Sequence, residues 1–223
     1  MTAPARIDRR QRRRLETIEE IVDVAVEVMT EHGVGGLSLG EVARRMGMRT
    51  PSLYVYFDSK NAVYDAVFAR GWRSAYETTG ALHLDVEGTV RRPAQLEPYL
   101  LLVSRTFVRW TIENPAHAQL MMWRPVPGYE PSADAFAAAV DALEAARSMF
   151  VRLRDLDLLR SDVALDEMVQ TWTVITTGVM TRQLANAPQE SFDEGRVTAT
   201  LPALVAMFVA HYRHSGSPTK GKK

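Results

Sequence analysis

Residues 49–60, RTPSLYVYFDSK, gather one arginine, one lysine, two tyrosines and three hydroxyl side chains within a short stretch. Those types bind a hydrogen-bonding anion better than they perform a reaction. Hydroxyls, phenols and an ammonium can hold phosphate oxygens, a guanidinium can pair with a guanine edge, and a proline or valine can meet a thymine methyl. Nothing in the chain adds reaction chemistry. There is no cysteine, which removes disulfides, thiolate metal sites and cysteine nucleophiles. The histidines at 32, 83, 117, 211 and 214 are scattered, and His211 and His214 read as solvated surface rather than a metal pair. No metal, cofactor or catalytic group is expected, and a helical enzyme finds no nucleophile–base or paired-carboxylate set to support it.

The formal net charge is zero, but the charges are sorted along the chain. Arg6, Arg9, Arg10, Arg12, Arg13 and Arg14 stand against Asp8 alone. Arg44, Arg45, Arg49 and Lys60 stand against Glu41 and Asp58. The stretch between, residues 15–36, carries six acids and neither lysine nor arginine. Local basic patches, rather than the total, decide whether phosphate is attracted.

The elements that position these residues are helical. Leu15, Ile18, Val22, Ala25 and Met29 repeat at three and four, which predicts a helix from about Arg12 to His32, ended by Gly33. Ser38 with Glu41 forms a capping box that opens a short helix, about Leu39 to Met46. Gly47 permits a tight turn. Thr50 as cap with Pro51 at the first helical position starts a second short helix, through about Tyr56. Leu53 and Phe57 face inward on it; Arg49, Thr50, Ser52, Val55 and Tyr56 face out. A longer helix follows from about Lys60 to Leu82, then a breaker-rich loop, Gly80 to Pro93. Further helices are expected over Gln95–Glu113, Pro115–Trp123, Ala133–Arg154, Asp166–Ala185 and Phe192–Arg213, the last capped by Ser191 and Glu194. No stretch alternates convincingly, so the fold class is all-α. The division expected is 1–60 for a helix-turn-helix domain with a basic arm, 61–214 for a larger helical domain, and 215–223 for a disordered basic tail.

The run from Leu37 to Met48, LSLGEVARRMGM, followed by Ser52 to Lys60, SLYVYFDSK, resembles the N-terminal signature of TetR (tetracycline-repressor-like) transcriptional regulators. Trp172 followed by Gly178 is similar to a Trp…His-Gly pattern of one C-terminal subgroup, with Thr177 standing where that subgroup has histidine. The resemblance implies a double-stranded DNA operator as partner. Ser38, Tyr54, Tyr56 and Lys60 fall where the family contacts phosphates; Arg49, Thr50, Pro51 and Val55 fall where it touches base edges.

It also implies a helical regulatory half that dimerises and encloses a ligand. Candidate pocket residues are Phe107, Trp110, Met121, Met122, Trp123, Phe150 and Trp172, suiting a hydrophobic or aromatic effector; the same side chains serve equally as ordinary core. The last helix is apolar over more than one face, which calls for a partner subunit, and the family pairs its last two helices in a four-helix bundle. Gly178, Leu201, Leu204, Val205, Phe208 and Tyr212 are the expected homodimer contacts. No segment is long enough to span a membrane and no secretion signal is recognisable, so a cytoplasmic protein is expected. The functional expectation is a ligand-responsive repressor, with a ligand-independent regulator or an activator on the same reader as the alternative.

Overall fold

The computed structural model describes residues 9–214; Arg6 of the basic arm and the 215–223 tail lie outside them. The described residues form ten α-helices with three short 3-10 turns and no strand, so the all-α expectation holds. The helices are α1 (Arg9–His32), α2 (Leu39–Arg45), α3 (Thr50–Leu53), α4 (Lys60–Leu84), α5 (Val86–Thr89), α6 (Leu96–Glu113), α7 (Pro115–Met122), α8 (Ala133–Asp155), α9 (Leu165–Asn186) and α10 (Leu201–Tyr212). They fall into two compact units. One takes the chain to Gly71 together with Pro115–Ala137; the other takes Trp72–Asn114 and everything from Ala138 onward. The boundary expected at residue 60 therefore lies eleven positions later, inside α4, and the first unit contains a second stretch of chain.

In the first unit α1 buries Ile21, Val22, Ala25, Val28 and Met29. It begins at Arg9 rather than Arg12, and Leu15 is 48% exposed, so its first turns stand clear of the core. Gly33 ends it with φ 76°, a left-handed conformation that glycine reaches without a Cβ penalty. α4 supplies Val63, Tyr64, Val67 and Phe68 to the same core, and the Tyr64 hydroxyl donates to the Val34 carbonyl at 2.9 Å. α7 adds buried Ala116, Ala118, Leu120 and Met121. The Pro- and Gly-rich connection after α7 is anchored at Asp65, whose Oδ1 accepts from the Tyr129 hydroxyl (2.9 Å) and the Ser132 amide (3.2 Å).

The second unit is built on one apolar core shared by α6, α8, α9 and α10. Phe150, Trp172 and Phe208 pack edge-on and tilted, with ring centroids 5.3–5.8 Å apart, and Tyr212 adds to the stack. Two expectations fail here for local reasons. The breaker-rich loop 80–93 is largely helical: α4 continues to Leu84, and α5 follows because Val86 and Val90 are drawn fully into the core. The last helix starts at Leu201 instead of Phe192. Ser191 and Glu194 do form their capping pair (Oγ to Oε2, 2.8 Å; amide to Oγ, 3.4 Å), but it closes a turn. Side chains take the place of helical bonds there. Gln183 Oε1 accepts the Val197 amide and the Thr198 hydroxyl donates to Phe192 and Gly195 carbonyls, while Pro202 sits in the first turn of α10.

The expected dimer contacts are corrected in part. Leu201, Val205, Phe208 and Tyr212 fill the chain's own core against α6 and α9, so they are not presented to a partner. Leu204 is half-buried and Gly178 has open space beside it, and the outward faces of α9 and α10 carry instead Val174 and Met207, each 67% exposed.

Candidate nucleic-acid interface

The candidate interface is built on two short helices, α2 and α3, that follow α1. Ser38 is the N-cap of α2, accepting the Glu41 amide at 3.4 Å. Arg45 staples α2 to α1, donating to both Glu31 oxygens (2.8 and 2.5 Å) and to Glu41 Oε1 (2.8 Å). Arg44 grips the other side of Glu41, at 2.8 and 2.7 Å. The hydrogen bonds from Arg44 and then Arg45 hold the Glu41 carboxyl down at about 2. Both arginines are thereby committed within the protein, and Arg49 is left to supply the outward guanidinium. Gly47 turns the chain with φ 65°, and the Met48 amide closes back on the Ala43 carbonyl at 2.9 Å.

α3 is shorter than expected. It runs only from Thr50 to Leu53, with Arg49 as its cap residue in place of Thr50, and residues 54–56 continue as a turn. Leu53 and Phe57 are buried, as their spacing implied, which fixes the opposite side outward. Arg49, Pro51, Ser52, Tyr54 and Val55 are exposed; Thr50, Tyr56 and Lys60 are half-buried. Tyr54 is 51% exposed and so available to an outside partner. The Lys60 ammonium rests 5.5 Å from the centre of the Tyr64 ring.

One residue that the sequence did not single out for this role holds the turn. Arg14 of α1 donates from Nη1 to the Val55 carbonyl at 3.0 Å, and its guanidinium lies 5.2 Å over the Tyr56 ring. The Val55 carbonyl lies past the end of α3, where no helical donor reaches it, so the contact satisfies an otherwise orphaned group. Only the fold brings positions 14 and 55 together. The same end of α1 carries Arg9, Arg10, Arg12 and Arg13, all exposed, with no acid in the first turn. Cations at the positive end of a helix dipole are unfavourable unless an anion lies near.

Residues 21–67 match the sequence profile of bacterial regulatory proteins of the tetR family. The family's profile thus covers the N-terminal helices, α1 to the start of α4. Among curated relatives, an HTH-type transcriptional regulator of Mycobacterium bovis is 25% identical over 134 residues, 60% of this chain and 55% of that one. The tetracycline repressor protein class D of Escherichia coli is 35% identical over 49 residues, 22% of each chain. The aligned part thus spans about half the length of the first of these, or less. The solved structure of the regulatory protein SCO4313 shares the fold, with a TM-score of 0.70 at 21% identity over 91% of this chain and all of that one.

The residues expected around a TetR-type ligand are divided between the two units. Met121, Met122 and Trp123 belong with α7; the Met121 sulfur packs where a Cβ on Gly71 would fall. Phe150 and Trp172 pack on each other and on Phe208. Phe107 is half-buried against the same core. Trp110 donates from Nε1 to Ser74 Oγ at 3.2 Å, and its ring borders a surface groove of about 280 Å³. Among the described residues no group of histidines and acids could hold a metal ion, and no helix is long and apolar enough to cross a membrane.

Proposed function

We propose that this protein is a DNA-binding transcriptional regulator that works as a homodimer on a two-fold operator and releases it when a small molecule binds. The observation that carries the reading is the outward face of residues 49–60, held from behind by Leu53, Phe57 and Arg14. Arg49, Thr50, Pro51 and Val55 meet base edges in the major groove; Ser38, Tyr54, Tyr56 and Lys60 hold phosphates. The arginines that open α1 add sequence-independent attraction. Repression is favoured over activation by the similarity to a tetracycline repressor over the reader.

The dimer forms through the outer faces of α9 and α10, around Val174, Gly178, Leu204 and Met207. A glycine with open space beside it lets a second helix approach closely, and exposed valine and methionine are the apolar surface such an approach removes from water. Met207→Glu leaves the chain's own core intact and yields a monomer in sedimentation, with loss of operator affinity; a dimer that still bound DNA would place the interface elsewhere.

The test of the reading as a whole is selection of duplexes by the purified protein from a random pool. Enrichment of a two-fold sequence, with half-sites about 34 Å apart or a multiple of it, supports the function; recovery of unenriched DNA overturns it. A ligand-independent regulator is a second reading, favoured by the solid packing of Phe150 and Trp172.

A further inference from the structure

We propose that the outer face of α6 binds a small monocarboxylate with an aromatic or branched apolar body, gripped by Arg105. Leu102, Arg105, Thr106, Arg109, Trp110 and Glu113 stand at i, i+3, i+4, i+7, i+8 and i+11, so they share one helix face. With Thr78 of α4 opposite, they line the groove of about 280 Å³, and Arg105 also borders a second cavity of about 100 Å³ beside Phe192 and Asp193.

The two arginines on this face are not equivalent. Both stack on the Phe192 ring, Arg109 at 4.4 Å and Arg105 at 5.4 Å from its centre. Arg109 is committed: it donates twice to Asp193, at 2.8 and 2.7 Å, a bidentate pair that fixes the segment between α9 and α10 to α6. Arg105 donates no hydrogen bond among the described residues, and its nearest carboxylate oxygen, on the same Asp193, is 3.9 Å away. A guanidinium carries five donors in a planar fork that matches a carboxylate, and here the aromatic beneath it fixes the fork's plane.

Beside this weakly paired guanidinium the groove offers Leu102 and the Trp110 ring, with the Thr78 and Thr106 hydroxyls as side walls. The apolar floor selects a molecule with a hydrophobic body. Asp193 and Glu113 flank the face, so a single negative charge suits the site and a dianion does not. The volume suits a compound of about ten non-hydrogen atoms, at the small end of ligand pockets. That such an acid serves as the effector rests on the regulator reading above; that it binds does not.

The probe is phenylacetate, titrated into the full-length protein and followed by tryptophan fluorescence, with Trp110→Phe identifying the reporter. Saturable binding is expected, with phenylacetamide and phenethylamine at least tenfold weaker. Arg105→Gln removes a charge-assisted pair and weakens phenylacetate about 10- to 100-fold. Because Arg105 is exposed and makes no hydrogen bond among the described residues, this variant folds as the parent does. Thr78→Phe fills the groove and removes binding with Arg105 untouched. Absence of saturable binding, an amide or amine that binds as well as the acid, or an Arg105→Gln variant that matches the parent overturns the site. Operator affinity with and without phenylacetate is the separate arm: bound acid that leaves operator affinity unchanged removes the effector role alone, and failure of DNA selection removes the regulator reading alone.

Discussion

The helices of the candidate nucleic-acid interface and the large helical unit are held together by different forces. α2 and α3 are tied to α1 by charge: Arg45 to Glu31 and Glu41, and Arg14 to Val55 and Tyr56, all at or near the surface. Their apolar support is small, essentially Leu39, Val42, Ala43, Leu53 and Phe57. The large unit has Phe150, Trp172, Phe208 and Tyr212 stacked at its centre, with Leu201 and Val205 completely covered. Exposed ion pairs are worth little singly and weaken as salt rises; buried aromatics are worth several kcal/mol each and are indifferent to salt. The part proposed to meet a duplex is thus fastened by adjustable contacts.

The sharpest way to break the contrast is Phe150→Ala. It removes the ring on which Trp172 and Phe208 both pack, and should lower stability by about 3–5 kcal/mol in urea denaturation. A loss under 1 kcal/mol would mean that the aromatic centre is not what holds the unit.

Acid comes next. Burial holds His83 and His117 down at about 4, from the ordinary 6.5, and the His117 Nδ1 lies 3.1 Å from the Val67 carbonyl. A depressed folded value means that the unfolded chain binds the proton more tightly. Stability from these groups is therefore full above pH 6.5 and is lost as pH falls toward 4, by up to about 3 kcal/mol for each. His117→Gln keeps a donor for Val67 and should flatten that pH dependence by half; an unaltered slope would assign it to other groups.

Arg49→Ala should weaken specific binding by about 1–3 kcal/mol and relax preference at one base pair, measured by titration against single-base operator variants. Uniform loss at every sequence would make Arg49 a phosphate contact.

The smallest effect separates strut from contact at Arg14. If its work is to hold the Val55–Tyr56 turn, Arg14→Ala lowers specific affinity more than non-specific affinity and leaves the salt slope unchanged. Its effect is also non-additive with Tyr56→Ala. A slope shallower by about 1, with both affinities reduced alike, would make it a phosphate ligand.

Sequence alone carried the local parts of this arrangement. The Ser38 cap, the Gly47 turn and the inward pair Leu53 and Phe57 are each set within a few residues, and each is found in the structure. What it could not carry was partnership over distance. The apolar spacing of α10 is real, but periodicity does not say which neighbour covers a face. Leu201, Val205, Phe208 and Tyr212 went to the chain's own α6 and α9, while Met207, one position away, stayed outside. Arg14 looked like one more arginine in a basic run because its partners lie some forty positions downstream. The weak pairing of Arg105 was likewise invisible, since only the neighbouring bidentate pair of Arg109 and Asp193 gives it meaning.

The first unit's two-part make-up sets a rule for building hybrid regulators. Cutting after residue 60 and splicing on a foreign sensor would strand α1 without Tyr64, Val67, Phe68 and the buried face of α7, leaving the graft with an uncovered apolar side prone to clump. A transplantable first unit instead comprises the chain through Gly71 and residues 115–137, so a hybrid has to exchange two pieces of the other unit, residues 72–114 and the stretch from 138 onward.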